Sequence, residues 1–483
     1  MEFDGAFAVF LVTLCIMFAF SFYGSIKAKK NDSSEEDLAG RSLNKWLVGL
    51  SSAATGNSGF IVTGAVGLGY TLGLQALWLP IAWFIGDLIF WQLFPSRLNR
   101  VSREYRSITL LDFLSEGLRG YSVRFLILIV STLLIILLTF YTSAQWIAGR
   151  KFLTSVYQFS DVSALLFFSG TIVLYSAIGG FRGSVLVDTV QAVIRIMGTV
   201  LAIVAISWAA MKDSSFVPNI NTAGEGFMDP FSIGSMITLL GFVSGFAFAA
   251  IGFGLGQPQI VSRYFAGNSP EDTAKAKWIC IGFSQFTWMT MTIFGILLRG
   301  LMPELPDAEE GLGHFFKDNF PAIVAGIIFA DVYATIAASS NSVLVSISQI
   351  INRDFLGALF KHRVVMTRTP FYFVIVVGVV SVVVSLFLPQ NVFHIIVGSV
   401  SLIGASVGSA VMIKVMKWKH NGISLLLSVM VGFLSAFLWR ISGIGEVFNE
   451  SGVGIFCALC TNFAVCYLSS FKSNDVGSLG KNS

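Results

Sequence analysis

Long apolar runs recur along the whole chain and are separated by short polar stretches. A run of about 20 apolar residues is long enough to cross a lipid bilayer as a helix. The sequence therefore predicts an all-α polytopic membrane protein with about 13 transmembrane helices. The predicted spans are 5–22, 45–68, 74–95, 124–148, 160–179, 187–210, 235–260, 278–298, 320–349, 371–388, 392–413, 422–439 and 450–470.

Two of these runs are interrupted by residues that break helices. The stretch from Leu50 to Phe60 is rich in Gly, Ser, Thr and Asn, and the stretch from Gly252 to Pro258 ends on a residue without a backbone donor. Backbone groups freed inside a bilayer persist only when they are buried in protein or line a watery cavity. Two broken helices in corresponding halves of a chain are typical of the binding site of a secondary transporter.

The composition agrees with a membrane protein and offers no sign of an enzyme. Of the 483 residues, 55% are hydrophobic and only 12% are charged, and the mean hydropathy is +0.77. All five cysteines lie in apolar segments; Cys457 and Cys460 spell CxxC, but no second pair accompanies them. The net charge of +4 includes no basic tract that would suggest nucleic acid. We therefore expect neither catalytic residues nor a disulfide framework.

The distribution of basic residues predicts the orientation of the helices. Cytoplasmic loops are enriched in Lys and Arg, and five such residues follow the first helix between positions 27 and 45. This places the N-terminus outside and the C-terminus in the cytoplasm of a plasma (inner) membrane. The later loops predicted inside carry Arg97, Arg100, Arg103, Arg106, Arg119, Arg124, Arg182, Arg263, Lys275, Lys277, Arg353, Lys361, Arg363, Arg368, Lys414, Lys417 and Lys419.

The two broken helices divide the chain into two groups of five helices. Five is an odd number, so the second group is inverted relative to the first, as in transporters built from inverted repeats. The expected organisation is a peripheral first helix and cytoplasmic loop (1–44), a first repeat (45–210), an extracytoplasmic loop (211–234), an inverted second repeat (235–413), and two closing helices with a short cytoplasmic tail (414–483).

Three segments carry a family resemblance: 254–266, 178–191, and the serine-rich 334–342 that leads to Asp354. With them the chain resembles the sodium:solute symporter family, nearest to its proline-symporter branch. The resemblance implies a leucine-transporter-type 5+5 inverted repeat, Na⁺ as the coupling ion, and a small organic solute such as the amino acid proline as cargo. We expect no other metal, no nucleic acid and no obligate protein partner.

The resemblance also implies a sodium site between the first broken helix and the eighth core helix. Sodium is a hard cation that prefers oxygen ligands, and helix unwinding releases backbone carbonyls. The alternative is that the small residues of the eighth core helix only allow close helix packing. The candidate ligands are Ala54, Asn57, Thr335, Ala338, Ser339 and Ser340.

The family pattern can be aligned with the eighth core helix in two ways, which differ in the pair of residues that would provide the hydroxyl ligands. A register anchored on Ser342 and Asp354 places the ligand pair at Ala338 and Ser339, so that one hydroxyl is missing. A shift by one residue restores a pair of hydroxyls at Ser339 and Ser340.

Asp188 is a further candidate for cation binding. An ionisable residue at membrane depth is costly, which favours a function. In related transporters the matching Asp lies near the cytoplasmic end of the ion pathway and helps to bind a cation. Alternatively, Arg195 lies two helical turns further along the same face and forms a salt bridge with Asp188.

One position departs from the family pattern. Proline symporters carry an Asp in the first broken helix where this chain has Gly56. Asp331 shares a helix face with Thr335 and Ser339, and we expect it to supply the missing negative charge from the opposite wall. The alternative is that Asp331 lies near the outer mouth in contact with water.

The substrate site is expected where the half-helix ends meet near the bilayer midplane. Tyr141 matches the family pattern. Phe60 replaces a Trp, and Ala250 and Gly254 replace a Trp and a Tyr, so we expect a larger pocket with less stacking surface. The candidate substrate residues are Gly56, Ser58, Gly59, Phe60, Tyr141, Gln145, Ala250, Gly254 and Gln257.

The sequence thus predicts sodium-coupled import of a small organic solute by alternating access. Sodium would tie the first core helix to the eighth and leave past Asp188. Two alternatives remain open, namely proton coupling through Asp331 or Asp188 on the same fold, and a sensor that binds solute without transporting it.

Overall fold

The computed structural model describes residues 5–29, 36–157, 159–232, 234–360, 371–446 and 448–479. These residues are helical apart from their connections and one isolated bridge between Leu43 and Gly267. The main helices are α1 (Gly5–Lys29), α2 (Lys45–Gly56), α3 (Gly59–Val62), α4 (Gly64–Leu72), α5 (Trp78–Leu93), α6 (Tyr121–Tyr157), α7 (Asp161–Lys212), α8 (Met236–Gly256), α9 (Pro258–Phe265), α10 (Lys277–Leu301), α11 (Ala322–Gln349), α12 (Phe371–Ser385), α13 (Val392–Ile403), α14 (Ser409–Val415), α15 (Gly422–Ile441) and α16 (Glu450–Leu479).

Shorter helices connect these elements. They are Pro95–Glu104, Leu110–Ser115, Phe216–Asn221, Pro270–Lys275, Gly311–Asn319 and Leu356–Leu359, with 3₁₀ turns at Glu36–Arg41, Gly73–Leu77, Ala308–Glu310 and Ile444–Glu446 and π-helical turns at Ile350–Phe355 and Gly404–Gly408.

The helices have the length and composition of membrane spans. Within the described residues, ten helical segments are long and apolar enough to cross a bilayer, and α12 is a shorter apolar helix. The segment α7 has 52 residues, or roughly 78 Å of helix, which is more than twice the thickness of the hydrocarbon core. A left-handed residue, Gly180 with φ 55°, interrupts α7 where the sequence predicts a boundary between two spans. The membrane-spanning class is therefore confirmed.

Several helix ends differ from the predicted bounds, and α6 and α16 are clear examples. Helix α6 extends from Tyr121 to Tyr157 instead of 124–148, and α16 continues to Leu479 instead of ending at 470. In both cases the helix continues through polar residues beyond the apolar run. Hydropathy therefore marks the membrane-facing part of these helices and not their ends.

Helix α11 forms the centre of the bundle. It packs against α1, α6 and α7, and every described residue from Phe329 to Ser348 is buried. A helix that is covered on all sides has no lipid-facing stripe. The polar residues of α11 therefore have to find their partners inside the protein.

Both predicted breaks are present. Helix α2 ends at Gly56, Asn57 and Ser58 adopt extended backbone, and the Ser58 hydroxyl accepts a hydrogen bond from the Phe60 backbone N–H (3.2 Å). Helix α8 ends at Gly256, Gln257 is extended, and Pro258 begins α9, where its missing donor has no cost.

Loops that the charge pattern places on one side of the membrane contact one another. Lys151 lies 2.7 Å from both Asp307 and Glu309, and all three are predicted outside. Arg124 donates to the carbonyls of Ala358 and Leu359, which are predicted inside. The predicted loop residues Lys30, Lys361, Arg363 and Arg368 lie outside the described residues.

Arg263 departs from the loop prediction. Its side chain is only 1% exposed, so it is an interior residue and not part of a basic cytoplasmic loop.

Candidate functional site

An internal cavity lies between the two helix breaks. Its volume is about 90 Å³, and it is lined by Gly56, Asn57 and Ser58 from the first break and by Gly254 from α8. A second cavity of about 450 Å³ shares Leu79, Phe246 and Val397 with the first. This second cavity extends to Arg440 and Glu450, at the end of the bundle where the external loops are predicted. The central cavity therefore adjoins a vestibule.

Aromatic rings form the walls of the central cavity. The ring of Trp288 lies 5.1 Å from that of Phe60 and 5.4 Å from that of Trp83, and Trp83 lies 5.4 Å from Phe253. Tyr141 lines the same space, and its hydroxyl lies close to Ser58. Flat rings around a few polar groups suit a small solute that carries both apolar and polar surface.

The predicted substrate residues separate into two groups. Gly56, Ser58, Phe60, Tyr141 and Gly254 line the central cavity. The wall of the cavity does not include the remaining four, which are Gly59, Gln145, Ala250 and Gln257.

Gln145 has a structural contact at the first break. Its side-chain oxygen accepts hydrogen bonds from the Gly59 backbone N–H (2.8 Å) and from the Ser339 hydroxyl (3.4 Å). It therefore satisfies a backbone donor at the break and joins the broken helix to α11.

Part of the space that we expect beside Gly254 and Ala250 is occupied by helix α5. A Cβ on Gly254 would lie 2.5 Å from the ring of Phe90, and the backbone of Gly86 packs directly against Ala250. Helix α5 thus moves into the space that smaller residues leave on α8. Pocket size could not be deduced from α8 alone, because the filling residues lie more than 150 positions earlier in the chain.

The candidate sodium ligands lie where α2 faces α11. The Asn57 N–H donates to the Ala53 carbonyl, and this is the last hydrogen bond of the helix. The carbonyls of Ala54 and Asn57 therefore belong to the last four carbonyls of α2, which have no hydrogen-bond partner within the helix. Across the interface, the hydroxyls of Thr55 and Ser342 lie 3.2 Å apart. A Cβ on Gly59 would lie 3.4 Å from Ile336.

These two contacts orient α11 toward the first break. Ile336, Ser339 and Ser342 follow one another at intervals of three, so they share one helix face. The hydroxyls of Ser339 and Ser340 both donate to the Ile336 carbonyl within their own helix, at 3.2 and 2.7 Å, and the Ser339 hydroxyl also donates to Gln145 at 3.4 Å. Ser339, the residue common to both predicted registers, therefore lies on the face toward α2.

Asp188 is the centre of a buried polar network. It accepts hydrogen bonds from the hydroxyls of Ser51 (2.8 Å) and Thr55 (3.1 Å) and pairs with Arg263 at 2.8 Å. The Arg263 guanidinium also donates to Ser184 and Ser342. The network joins α2, α7, α9 and α11 in the interior.

The predicted alternative of an Asp188–Arg195 salt bridge is wrong, because Arg195 pairs with Asp331 at 2.6 Å. Both side chains are buried, with 2% and 1% exposure. This also corrects both expectations for Asp331: the residue is not in contact with water, and its charge is neutralised by Arg195. It therefore does not supply a free negative charge to the site.

Sequence reasoning missed several residues of the site. Arg263 lies within a segment used for the family resemblance but was assigned to a loop, and Trp83 and Trp288 lie in apolar runs without a distinguishing pattern. Asp87 also lines the central cavity. The sequence could have identified Asp87, because it is the one charged residue of its predicted span and charged residues at membrane depth favour a function.

Two broken helices that face one aromatic cavity inside a membrane-spanning bundle define a secondary transporter. The model of the sodium:solute symporter family matches residues 38–432. The sodium/proline symporter of Escherichia coli is 26% identical over 481 residues, covering 93% of both chains. An osmoregulated proline transporter of Bacillus subtilis is 26% identical over 437 residues, covering 86% of this chain and 85% of the relative.

Solved structures show the same fold. A Na⁺-coupled sialic acid symporter in a substrate-bound, outward-open state has a TM-score of 0.77 at 18% identity, covering 96% of this chain and 97% of the other. A nucleobase-cation-symport-1 family transporter in a closed conformation has a TM-score of 0.54 at 14% identity, covering 90% and 94%.

The chain belongs to the sodium:solute symporter family. The predicted family and the leucine-transporter-type fold are confirmed. The protein is an integral membrane transporter of a small solute, and Na⁺ is its coupling ion.

Proposed function

We propose that the protein imports an amino acid or a similar small solute, with proline as the first candidate, together with Na⁺. The observation that carries this proposal is the aromatic cavity at the junction of the two broken helices. The proline transporters among the relatives support the amino-acid class. The solute would occupy the space between Ser58, Phe60 and Tyr141, with Trp83 and Trp288 as additional walls.

Sodium would bind beside the solute, between α2 and α11. Its ligands would be the carbonyls of Ala54, Asn57 and Thr335 and the hydroxyl of Ser339. The second position of the ligand pair would be Ala338 in one register and Ser340 in the other. The orientation of α11 toward Thr55 and Gly59 supports Ser339 as the hydroxyl ligand. Sodium bound there would hold the two helices together and stabilise the shape of the adjoining cavity.

Asp188 would guide sodium away from this site. Its network lies on the α2–α11 interface, one helical turn from Ser339 through Ser342. The exit of the ion would require that the contacts of Asp188 with Arg263, Ser51 and Thr55 separate. Closure and opening of this network would then alternate with closure and opening of the vestibule.

The organisation within the membrane follows from the same proposal. The boundaries of the two five-helix repeats would be 45–210 and 235–413, with the 211–234 loop between them. The N-terminus would lie outside and the C-terminus inside a plasma (inner) membrane. The contacts between loops support the grouping of the loops into two sides, and the basic residues of one group support its cytoplasmic position.

Transport in proteoliposomes tests the proposal. Vesicles that contain the purified protein would be given labelled proline or another amino acid under an inward sodium gradient, with an equal potassium gradient as control. Sodium-driven accumulation of an amino acid is the expected result. Accumulation under a pH gradient but not under a sodium gradient would contradict it, as would binding without accumulation.

A further inference from the structure

Asp87 brings a carboxylate into the central cavity from α5. Among the described residues that line this cavity, Asp87 alone has a charged side chain. In the described part of the chain the Asp87 carboxyl group has no ion-pair or hydrogen-bond partner. An unpaired carboxylate at membrane depth is costly, so its natural complement is a ligand that brings a positive charge.

The surroundings of Asp87 favour an organic cation over a metal ion. Trp83 and Trp91 lie one helical turn before and after Asp87, and both line the cavity. Trp91 packs edge-on against Tyr264 at 5.3 Å. A sodium ion needs several oxygen ligands, whereas aromatic rings around one carboxylate suit a protonated or quaternary nitrogen.

The cavity also offers a hydrogen-bond donor. The indole N–H of Trp288 is buried, and within the described residues it has no acceptor. Trp288 contacts Trp83 at 5.4 Å, and Trp83 is one turn from Asp87. The same cavity therefore presents one unpaired carboxyl group and one unpaired indole N–H, which complement a solute with a cationic nitrogen and an acceptor oxygen.

On this basis we propose that Asp87 is the counter-ion for a positively charged nitrogen on the transported solute. The inference rests on the proposed function and narrows its substrate class to solutes that carry an ammonium group. Trp83 and Trp91 would shield the nitrogen, and Trp288 would donate to an oxygen of the same solute. Amino acids fit this description, whereas neutral sugars and plain carboxylic acids do not.

The first test uses the wild-type protein in proteoliposomes with a solute panel under a sodium gradient. The labelled solutes are L-proline, L-leucine, choline, D-galactose and pyruvate, and unlabelled N-acetyl-L-proline and N-acetyl-L-leucine serve as competitors. We expect accumulation only of a solute with a cationic nitrogen and at least tenfold weaker competition by the N-acetyl form of a transported amino acid. Sodium-driven uptake of galactose or pyruvate alone would overturn the inference while sodium symport stands. Failure of every solute to accumulate with sodium would instead contradict the proposed function.

The second test uses Asp87→Asn, with Asp318→Asn as a control of equal charge change at an exposed position. We expect Asp87→Asn to raise the KM for the transported solute at least tenfold and to leave the sodium half-saturation, measured at saturating solute, unchanged. The control should match the wild type. An unchanged KM, or a change confined to the sodium or pH dependence, would overturn the inference. If Asp87→Asn does not fold, the competition by N-acetyl forms in the wild type still decides.

Discussion

At the residue scale, the pair of Arg195 and Asp331 is the clearest example of a buried charge with a partner. Removal of one partner from a buried ion pair leaves the other charge uncompensated, at a cost of about 3–5 kcal/mol in soluble proteins. Asp331→Asn should therefore lower the unfolding midpoint of the purified protein in detergent. The double variant Asp331→Asn/Arg195→Gln keeps the local charge neutral, so its sodium half-saturation should be unchanged.

A second substitution serves as the control for this prediction. The double variant Asp331→Asn/Arg195→Gln removes both charges, so it should recover part of the lost stability. A large change in sodium half-saturation without a loss of stability would show instead that Asp331 acts directly on the ion.

Ser339 is the residue on which the proposed sodium site depends most. Ser339→Ala removes the proposed ligand hydroxyl, and loss of one contact to a charged group costs about 1.5–3 kcal/mol, or about tenfold or more in affinity. We expect at least a tenfold rise in sodium half-saturation. Ser348→Ala is the matched control, since its hydroxyl only donates to the Leu344 carbonyl on the same helix. An equal loss in Ser340→Ala but not in Ser339→Ala would favour a different ligand register.

The pairing of buried charges could not be predicted from the sequence. Asp188 and Arg195 share a helix face, which made a local pair reasonable, but each found its partner on a helix more than 70 positions away in the chain. Spacing along one helix identifies neighbours on that helix only. The partner across an interface depends on helix rotation, which the sequence pattern does not determine.

At the element scale, close crossings of helices hold the outer half of the first broken helix in place. Gly69 on α4 and Gly295 on α10 face each other closely. A Cβ atom on Gly295 would collide with the Val66 carbonyl oxygen, and a Cβ atom on Gly69 would collide with the Thr292 carbonyl oxygen. The contacted atoms belong to the backbone, so they cannot move aside as the end of a flexible side chain can. The two glycines therefore set the distance between α4 and α10.

Gly295→Ala should separate these helices and destabilise the protein by about 1–3 kcal/mol. Gly282→Ala is a control on the same helix, because a Cβ there meets no atom within 4 Å, and it should be neutral or stabilising by up to about 1 kcal/mol. Thermal unfolding of both variants in detergent measures the difference. Equal midpoints would contradict the proposed role of the crossing.

The elements themselves were largely predictable. Apolar runs predicted the spans, because a bilayer demands about 20 apolar residues per crossing. Glycine, serine and proline predicted both breaks, since helices cannot continue through them without loss of hydrogen bonds. The cavity was predicted in position but not in shape, because Phe90 and Gly86 of a neighbouring helix fill the space above Gly254 and Ala250.

At the scale of the whole molecule, the central cavity adjoins a vestibule on one side and a closed polar network on the other. The vestibule shares Leu79 and Phe246 with the cavity. The network around Asp188 and Arg263 joins four helices and leaves neither charge exposed. This arrangement suits a transporter that admits its ligands from one side while the other is closed.

Coupling in such a molecule is a free energy shared between two sites. The proposed sodium ligands Ala54 and Asn57 and the cavity residues Gly56 and Ser58 occupy one break in one helix. An ion that orders this break orders part of the solute site as well. By linkage, sodium and solute must then raise each other's affinity by the same factor.

Equilibrium binding to the purified protein tests this central claim most directly. The affinity for the transported amino acid would be measured in sodium and in potassium at equal ionic strength, and the sodium affinity with and without that amino acid. We predict that each ligand raises the affinity of the other, by at least about fivefold and by the same factor. An amino-acid affinity that is equal in sodium and potassium would contradict the account.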